Sequence, residues 1–236
     1  MWRPTTTRYR LPMAKKAPRR TAQRILSTTL ALFNRFGEPN VSTTLISSEL
    51  SISPGNLYYH FPAKDELVTA LFEEYQTKLF PILAAGAHVS DVEEAWFFLH
   101  SLFELIWEYR FLYRDLGDLL SKNRRLEKDI KDILLLKTSA CRALLQGLGH
   151  QGHLHMQTST REMCATQMVV MLTWWLSFEF AKDPRHALED DNAQQALLRG
   201  AQHVLSLLVP YLEPASQAHL LGLIQNYSDE SPKSSP

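Results

Sequence analysis

Cysteine is scarce. The 236 residues contain two, Cys141 and Cys164, each on an apolar helical pattern, which excludes a disulfide framework and a cysteine-based zinc motif and suits a reducing cytoplasm. Glycine is scarce too, at nine, and long stretches with apolar residues at three- and four-residue steps lie between the prolines. That pattern speaks against a barrel or a doubly wound sheet and predicts an all-α protein. No window reaches the roughly 18 consecutive apolar residues of a membrane span, and no signal-peptide core follows the start. The reading is a cytoplasmic chain with no membrane partner. Enzyme signatures are missing as well: there is no Gly-x-Ser-x-Gly, no glycine-rich phosphate loop after a strand and no His-Glu-x-x-His. The pattern therefore predicts a non-enzyme without a cofactor.

What is present begins with charge. The net charge is zero, but residues 1–66 hold ten Lys/Arg against four Asp/Glu, while residues 67–236 hold fifteen against twenty-one. A cationic head (+6) beside an anionic body (−6) favours binding of phosphates by the head, because neutralised phosphates release counterions. Residues 1–20 carry seven Lys/Arg, three prolines and no acid, with no apolar period. They are predicted to be a disordered basic arm, with Lys15, Lys16, Arg19 and Arg20 available to a duplex. Met13 is an alternative start to Met1.

From residue 21 the pattern turns helical, with Ala22, Ile25, Leu26, Thr29, Phe33 and Phe36 on one face and Gly37 as the stop. Ser42, Thr43 and Thr44 are cap residues for a two-turn helix anchored by Ile46 and Leu50. After the turn Ser51-Ile52-Ser53, Pro54 sits in the first turn of a further short helix that ends near Phe61-Pro62. Two short helices joined by a tight turn, the second entering a groove, is helix-turn-helix geometry. Leu57 and Phe61, four apart, anchor the second helix onto Ile25, Phe33 and Ile46, which leaves Pro54, Gly55, Asn56, Tyr59 and His60 on the free face. Gly55 permits close approach to a duplex, and Asn56 can reach a base edge, with adenine as its bidentate partner. Tyr58, Tyr59 and His60 can donate to phosphate oxygens; Tyr58 can instead pack on the first helix, and Thr43 serves either as a cap or as a phosphate donor.

The stretch Ser53-Pro54-Gly55-Asn56-Leu57-Tyr58-Tyr59-His60-Phe61 followed by Lys64-Asp65-Glu66-Leu67 resembles the recognition helix and following turn of the TetR family. Ser51 and Ser47 depart from it, standing where Gly and Ala are usual, and Ser51 strains the turn if its φ is positive. The resemblance implies a regulator that binds a double-stranded, palindromic DNA operator as a homodimer. A three-helix DNA-binding domain (residues 21–66) then precedes a helical ligand-binding and dimerisation domain (67–227) and a loose tail (228–236). Most members are repressors relieved by a small-molecule effector. The resemblance also implies that Lys64 contacts phosphate and that Thr43, Thr44 and Ser53 flank the groove.

In the body, helices are predicted over 91–109, 111–121, 124–148, 159–181 and 193–208, with a weaker one over 216–226. By resemblance, the dimer interface falls on the last two long helices, at Met163, Val170, Phe178, Leu197, Val204 and Leu208. The effector pocket is expected among Trp96, Phe103, Trp107, Phe111, Arg114, Trp174 and Trp175, whose apolar character suits a lipophilic or acyl-bearing ligand. The run from Tyr109 to Leu116 is similar to that of a subgroup regulating polyhydroxyalkanoate genes. Arg110 and Arg114 either hold an acid group or pair with Glu108 and Asp118. His150, His153 and His155 bracket Gly149 and Gly152; without a cysteine or carboxylate at ligand spacing they read as a solvated interhelical loop rather than a metal site.

Overall fold

The computed structural model describes residues 18–229 apart from residue 188. Residues 1–17, with Lys15, Lys16 and both candidate starts, lie outside the described residues. Eleven α-helices are found among the described residues, and the only extended pairing among them is a lone antiparallel bridge between Leu154 and Leu212.

The head is α1 (Pro18–Phe36), α2 (Thr43–Glu49) and α3 (Pro54–His60). α1 starts three residues before the expected boundary, because Pro18 lacks only an N–H that the first turn leaves unpaired anyway. It ends at Gly37, whose φ of +87° is open to glycine at little cost and whose N–H bonds the Phe33 carbonyl at 2.9 Å. Ser42, not Thr43, caps α2 by accepting the Leu45 N–H at 3.1 Å. Ser53 caps α3 by accepting the Asn56 N–H at 3.2 Å, with Pro54 in the first turn. Between them Ser51 holds φ of +52°, the strained turn expected from its replacement of glycine. Ile25, Phe33, Ile46 and Leu57 are fully buried together, and Phe61 packs on them.

α4 (Lys64–Ala85) continues straight out of the head into the body, so the expected boundary at residues 66–67 falls inside one helix. It runs through Pro81 to Ala85, so the proline costs one backbone bond without stopping the helix. The body adds α5 (Val92–Glu108), α6 (Arg110–Arg114), α7 (Leu116–Lys122), α8 (Arg124–His150), α9 (Thr158–Lys182), α10 (Ala193–Ser206) and α11 (Pro214–Asp229). The single helix expected over 111–121 is broken at Asp115, and α11 reaches into the expected tail. α8 packs along α9, α10 lies against α5, and α4 is held between α5 and α8. α10 approaches α5 so closely that a Cβ on Gly200 would meet the Phe103 ring at 2.6 Å.

Histidines 150–155 do not form a free loop. α8 continues to His150, and the turn after it is clamped to the α10–α11 connection. His155 N–H donates to the Tyr211 carbonyl at 2.8 Å and Glu213 N–H to the His153 carbonyl at 3.0 Å. The His153 ring meets the Ser216 hydroxyl at 2.8 Å, and the His155 ring meets the Glu213 carboxylate. Their short backbone span is tied down from both ends, which the two glycines concealed.

Candidate nucleic-acid interface and effector cleft

Of the residues expected on the free face of α3, four are exposed and His60 is partly buried. Pro54, Gly55, Asn56 and Tyr59 are exposed, Tyr59 at 78%, with Thr44 and Ser53 exposed beside them. The Tyr59 and His60 rings meet edge to face at 5.2 Å. Tyr58 is half exposed and shares a 2.9 Å hydrogen bond with the Thr43 hydroxyl, linking α3 to the start of α2. Both open alternatives thus meet in one contact: neither residue is a cap nor buried core, and each hydroxyl keeps a lone pair or proton for a phosphate.

Lys64 is placed differently from its neighbours. Its ammonium turns inward, forming a 2.8 Å ion pair with Glu38 Oε1, bonding the Glu38 carbonyl at 2.5 Å, and lying 5.7 Å from the Phe33 ring centroid. Glu38 itself is nearly buried. The residue expected at phosphate therefore ties the first turn of α4 to the loop after α1.

That tie is one end of a polar network joining head to body. Glu38 N–H donates to Asp115 Oδ2 at 3.0 Å, and Asp115 receives both Arg114 Nε and Nη2 at 3.1 Å. Arg114 Nη2 also reaches the Phe33 carbonyl at 3.4 Å, in the last turn of α1, where a cation is favoured by the helix dipole. Gly37 makes room for it: a Cβ there would stand 2.2 Å from Arg114 Nη2. Buried Asn34 completes the joint, donating to the Glu108 carbonyl at 2.8 Å and accepting the Phe111 N–H at 3.1 Å, while the Phe33 and Phe111 rings meet at a 52° tilt with centroids 5.2 Å apart. None of Asn34, Glu38 or Asp115 was anticipated. Asn34 was open to notice, since it lies next to Phe33 on a helix whose buried face is otherwise almost wholly apolar.

Beside this joint opens a cleft of about 1020 Å³, walled by α1, α5, α6 and the segment after α9. Of the seven residues expected to line a pocket, Trp107 and Arg114 do so. The others are placed elsewhere. Trp96, Phe103 and Phe111 are sealed in the core, and Trp175 is buried with its Nε1–H on the Ala196 carbonyl at 2.8 Å. Trp174 faces outward on α9. Large aromatics at helical spacing were filling space between helices. The cleft's charged lining, Arg35, Arg110, Arg114 and Arg185 with Glu104, Glu108 and Glu189, was mostly unforeseen. Arg110 stacks on Trp107 at 4.7 Å and bonds its carbonyl at 3.3 Å. Glu108 pairs with Lys78, and Arg114 with Asp115, not Asp118.

Deeper in the body a second polar group crosses three helices. Lys137 Nζ of α8 donates to the Tyr113 hydroxyl of α6 at 2.8 Å, and Tyr113 meets the Tyr75 hydroxyl of α4. All three are buried, and burial pushes the Lys137 amine down to about 7 and both phenols up. Burial likewise raises the Cys141 thiol to about 12 and Cys164 to about 11, so neither is poised as a nucleophile.

The expected interface residues divide by helix. Met163, Val170 and Phe178 are exposed on one side of α9, together with Trp174. Leu197, Val204 and Leu208 instead turn inward, buried in the chain's own core against α5 and α9. Among the described residues, no group of three His, Cys, Asp or Glu is arranged to hold a metal, and no helix is long and apolar enough to cross a membrane.

Two family models match the chain. "Bacterial regulatory proteins, tetR family" covers residues 25–71, and "Bacterial transcriptional repressor", the TetR model, covers residues 74–220. The fold is similar to a TetR-family transcriptional regulator from Marinobacter aquaeolei VT8, with TM-score 0.76 and 30% identity over 88% of this chain and 98% of that one. It is also similar to a gamma-butyrolactone receptor (ArpA-like protein), with TM-score 0.63 and 17% identity over 91% and 99% of the two chains. A complex of SmeT with triclosan gives TM-score 0.53 and 17% identity over 84% and 94%. No curated protein matches the chain.

Proposed function

Because the chain belongs to the TetR family of bacterial transcriptional regulators, we propose that it is a homodimeric repressor that reads a palindromic operator with the outward face of α3 and is released by a small-molecule effector bound in its body. The exposed row Gly55, Asn56, Tyr59 on a short, capped helix carries this reading, since a face of that composition has no packing role in the chain. Gly55 lets the helix start approach a groove, Asn56 supplies a base-edge contact, and Thr43, Thr44, Tyr58, Tyr59 and His60 supply hydroxyl and ring donors to phosphate.

The second copy would cover α9. Met163, Val170, Trp174 and Phe178 recur at seven- and four-residue steps and form a contiguous apolar stripe beside buried core positions of the same helix. Such a stripe is costly to leave in water and self-complementary about a two-fold axis. The gamma-butyrolactone receptor and SmeT relatives are named with small molecules, which supports an effector here. The cleft at the head–body joint, with its aromatic walls, is large enough for a lipophilic or acyl-bearing one.

Selection of bound duplexes from a random library tests the reading. It should enrich a two-fold symmetric sequence whose half-sites lie about one helical turn, or a multiple, apart. Enrichment of no sequence, or of asymmetric single sites, would contradict it.

A further inference from the structure

One side of α9 carries no charge. Around Met163, Val170, Trp174 and Phe178 this side is apolar or neutral from Ser159 to Ala181, with Thr166 and Gln167 exposed among them. The charged residues of the helix lie off it: Glu162 is held by Arg142, Glu179 by Arg199, and Arg161 bonds the Met156 carbonyl at 3.3 Å. A helix side left to water carries charges, and their absence over about six turns is the composition of an interface core. The relief of this side is uneven. Its N-terminal half opens into a hollow of about 330 Å³, floored by Met163, Cys164 and Gln167 and walled by Leu207, Pro210 and Tyr211 after the end of α10. None of the residues lining the hollow is charged. The C-terminal half instead projects Trp174 and Phe178, 48% and 57% exposed.

A projection at one end of a helix and a hollow at the other fit a second copy of that helix only when the two run antiparallel. A two-fold axis crossing α9 near Val170 arranges this, and it sets each residue against one about as far on the other side of Val170. Phe178 then falls on Met163 and Trp174 on Gln167, both of which floor the hollow. Their polar atoms match as well. The Trp174 indole N–H and the Gln167 side-chain amide have no partner among the described residues, and the one can donate to the carbonyl of the other. We propose that the partner's Phe178 seats in the hollow beside Met163 while the partner's Trp174 donates to Gln167, each contact being made twice about the axis. This rests on the homodimer reading above and assigns its register and anchors, the large aromatics that dominate such interfaces.

The test uses the full-length variants Met163→Cys and Phe178→Cys, mixed so that subunits exchange and then oxidised with copper phenanthroline. The mixture should give a covalent dimer whose peptide map links position 163 to 178, because antiparallel helices in contact bring facing backbones within disulfide reach there. A link from 178 to Cys164, which lines the same hollow, supports the same seating. Val170→Cys should link to its own copy, since it lies at the axis. Phe178→Glu needs no cross-link: on an exposed position it should keep its helix content by circular dichroism and weaken dimerisation about thirtyfold or more in analytical ultracentrifugation. A wild-type dimer with links of 178 to 178 or 163 to 163, with no link from 178 to 163 or 164, or with a Phe178→Glu variant that dimerises as tightly, would overturn the register and leave the homodimer reading standing. A wild-type chain that stays monomeric at high concentration would overturn the homodimer reading and this proposal together.

Discussion

The exposed face of α3 and the joint behind it use similar residue types in opposite ways. On α3, Asn56 and Tyr59 stand in solvent with their polar atoms directed outward. Some 20 residues away in sequence, Asn34 is buried and fully engaged by two backbone groups of the body. Lys64 follows the recognition helix immediately, yet its charge is held by Glu38. A polar side chain on the first surface costs little and is available to a partner. One at the joint is already bonded, and removing it strands whatever it held. The head thus has an open polar face on α3 and a bonded face at the joint.

Substitutions sharpen this contrast. The largest effect is expected in the body, where Lys137→Met should stabilise the protein by about 1–4 kcal/mol near neutral pH, because a buried amine gives way to an apolar chain of similar length. The sign follows from the lowered amine, about 7 when folded and higher when unfolded. Between roughly pH 7 and 10 the unfolded state binds the extra proton, so wild-type stability rises with pH and the variant's advantage fades across that window. Denaturant titrations at pH 6.5 and 9.5 check both points, and an advantage that grew with pH would refute the assignment. Next, Asn34→Ala should cost about 2–3 kcal/mol by stranding the Glu108 carbonyl and the Phe111 N–H. Asn56→Ala should leave stability unchanged and relax base preference at one operator position by about 1–3 kcal/mol, measured by competition among operator variants. Ser51→Gly is the smallest: relief of a left-handed serine against the added chain entropy of glycine leaves a gain of about 0.5–1 kcal/mol in thermal unfolding.

Legibility in the sequence divided along the same line. The exposed side of α3 was visible because its signals are local: Ser53 caps, Pro54 starts the helix, and Leu57 and Phe61 fix which side is buried. The joint was not, because its bonds connect residues far apart in the chain, such as Glu38 and Asp115, 77 positions apart. Periodicity also reports burial without saying what does the burying. Leu197, Val204 and Leu208 fell on a helical apolar period just as Met163, Val170 and Phe178 did, yet the first set meets its own chain and the second faces out. Lys137 left a trace, a lone cation on the apolar stripe of Ile133, Cys141 and Leu144, which only a buried acceptor such as Tyr113 explains.

The division of the head is tested most directly by the salt dependence of operator affinity for wild type and Lys64→Ala, measured by fluorescence anisotropy over a range of salt. A lysine on phosphate contributes about 0.9 to the slope of log affinity against log salt. With Lys64 committed to Glu38, the variant should bind more weakly at every salt concentration, since α4 loses its tie to the loop after α1, while the slope stays that of wild type. A slope shallower by about one unit would place Lys64 on the DNA backbone and contradict the account.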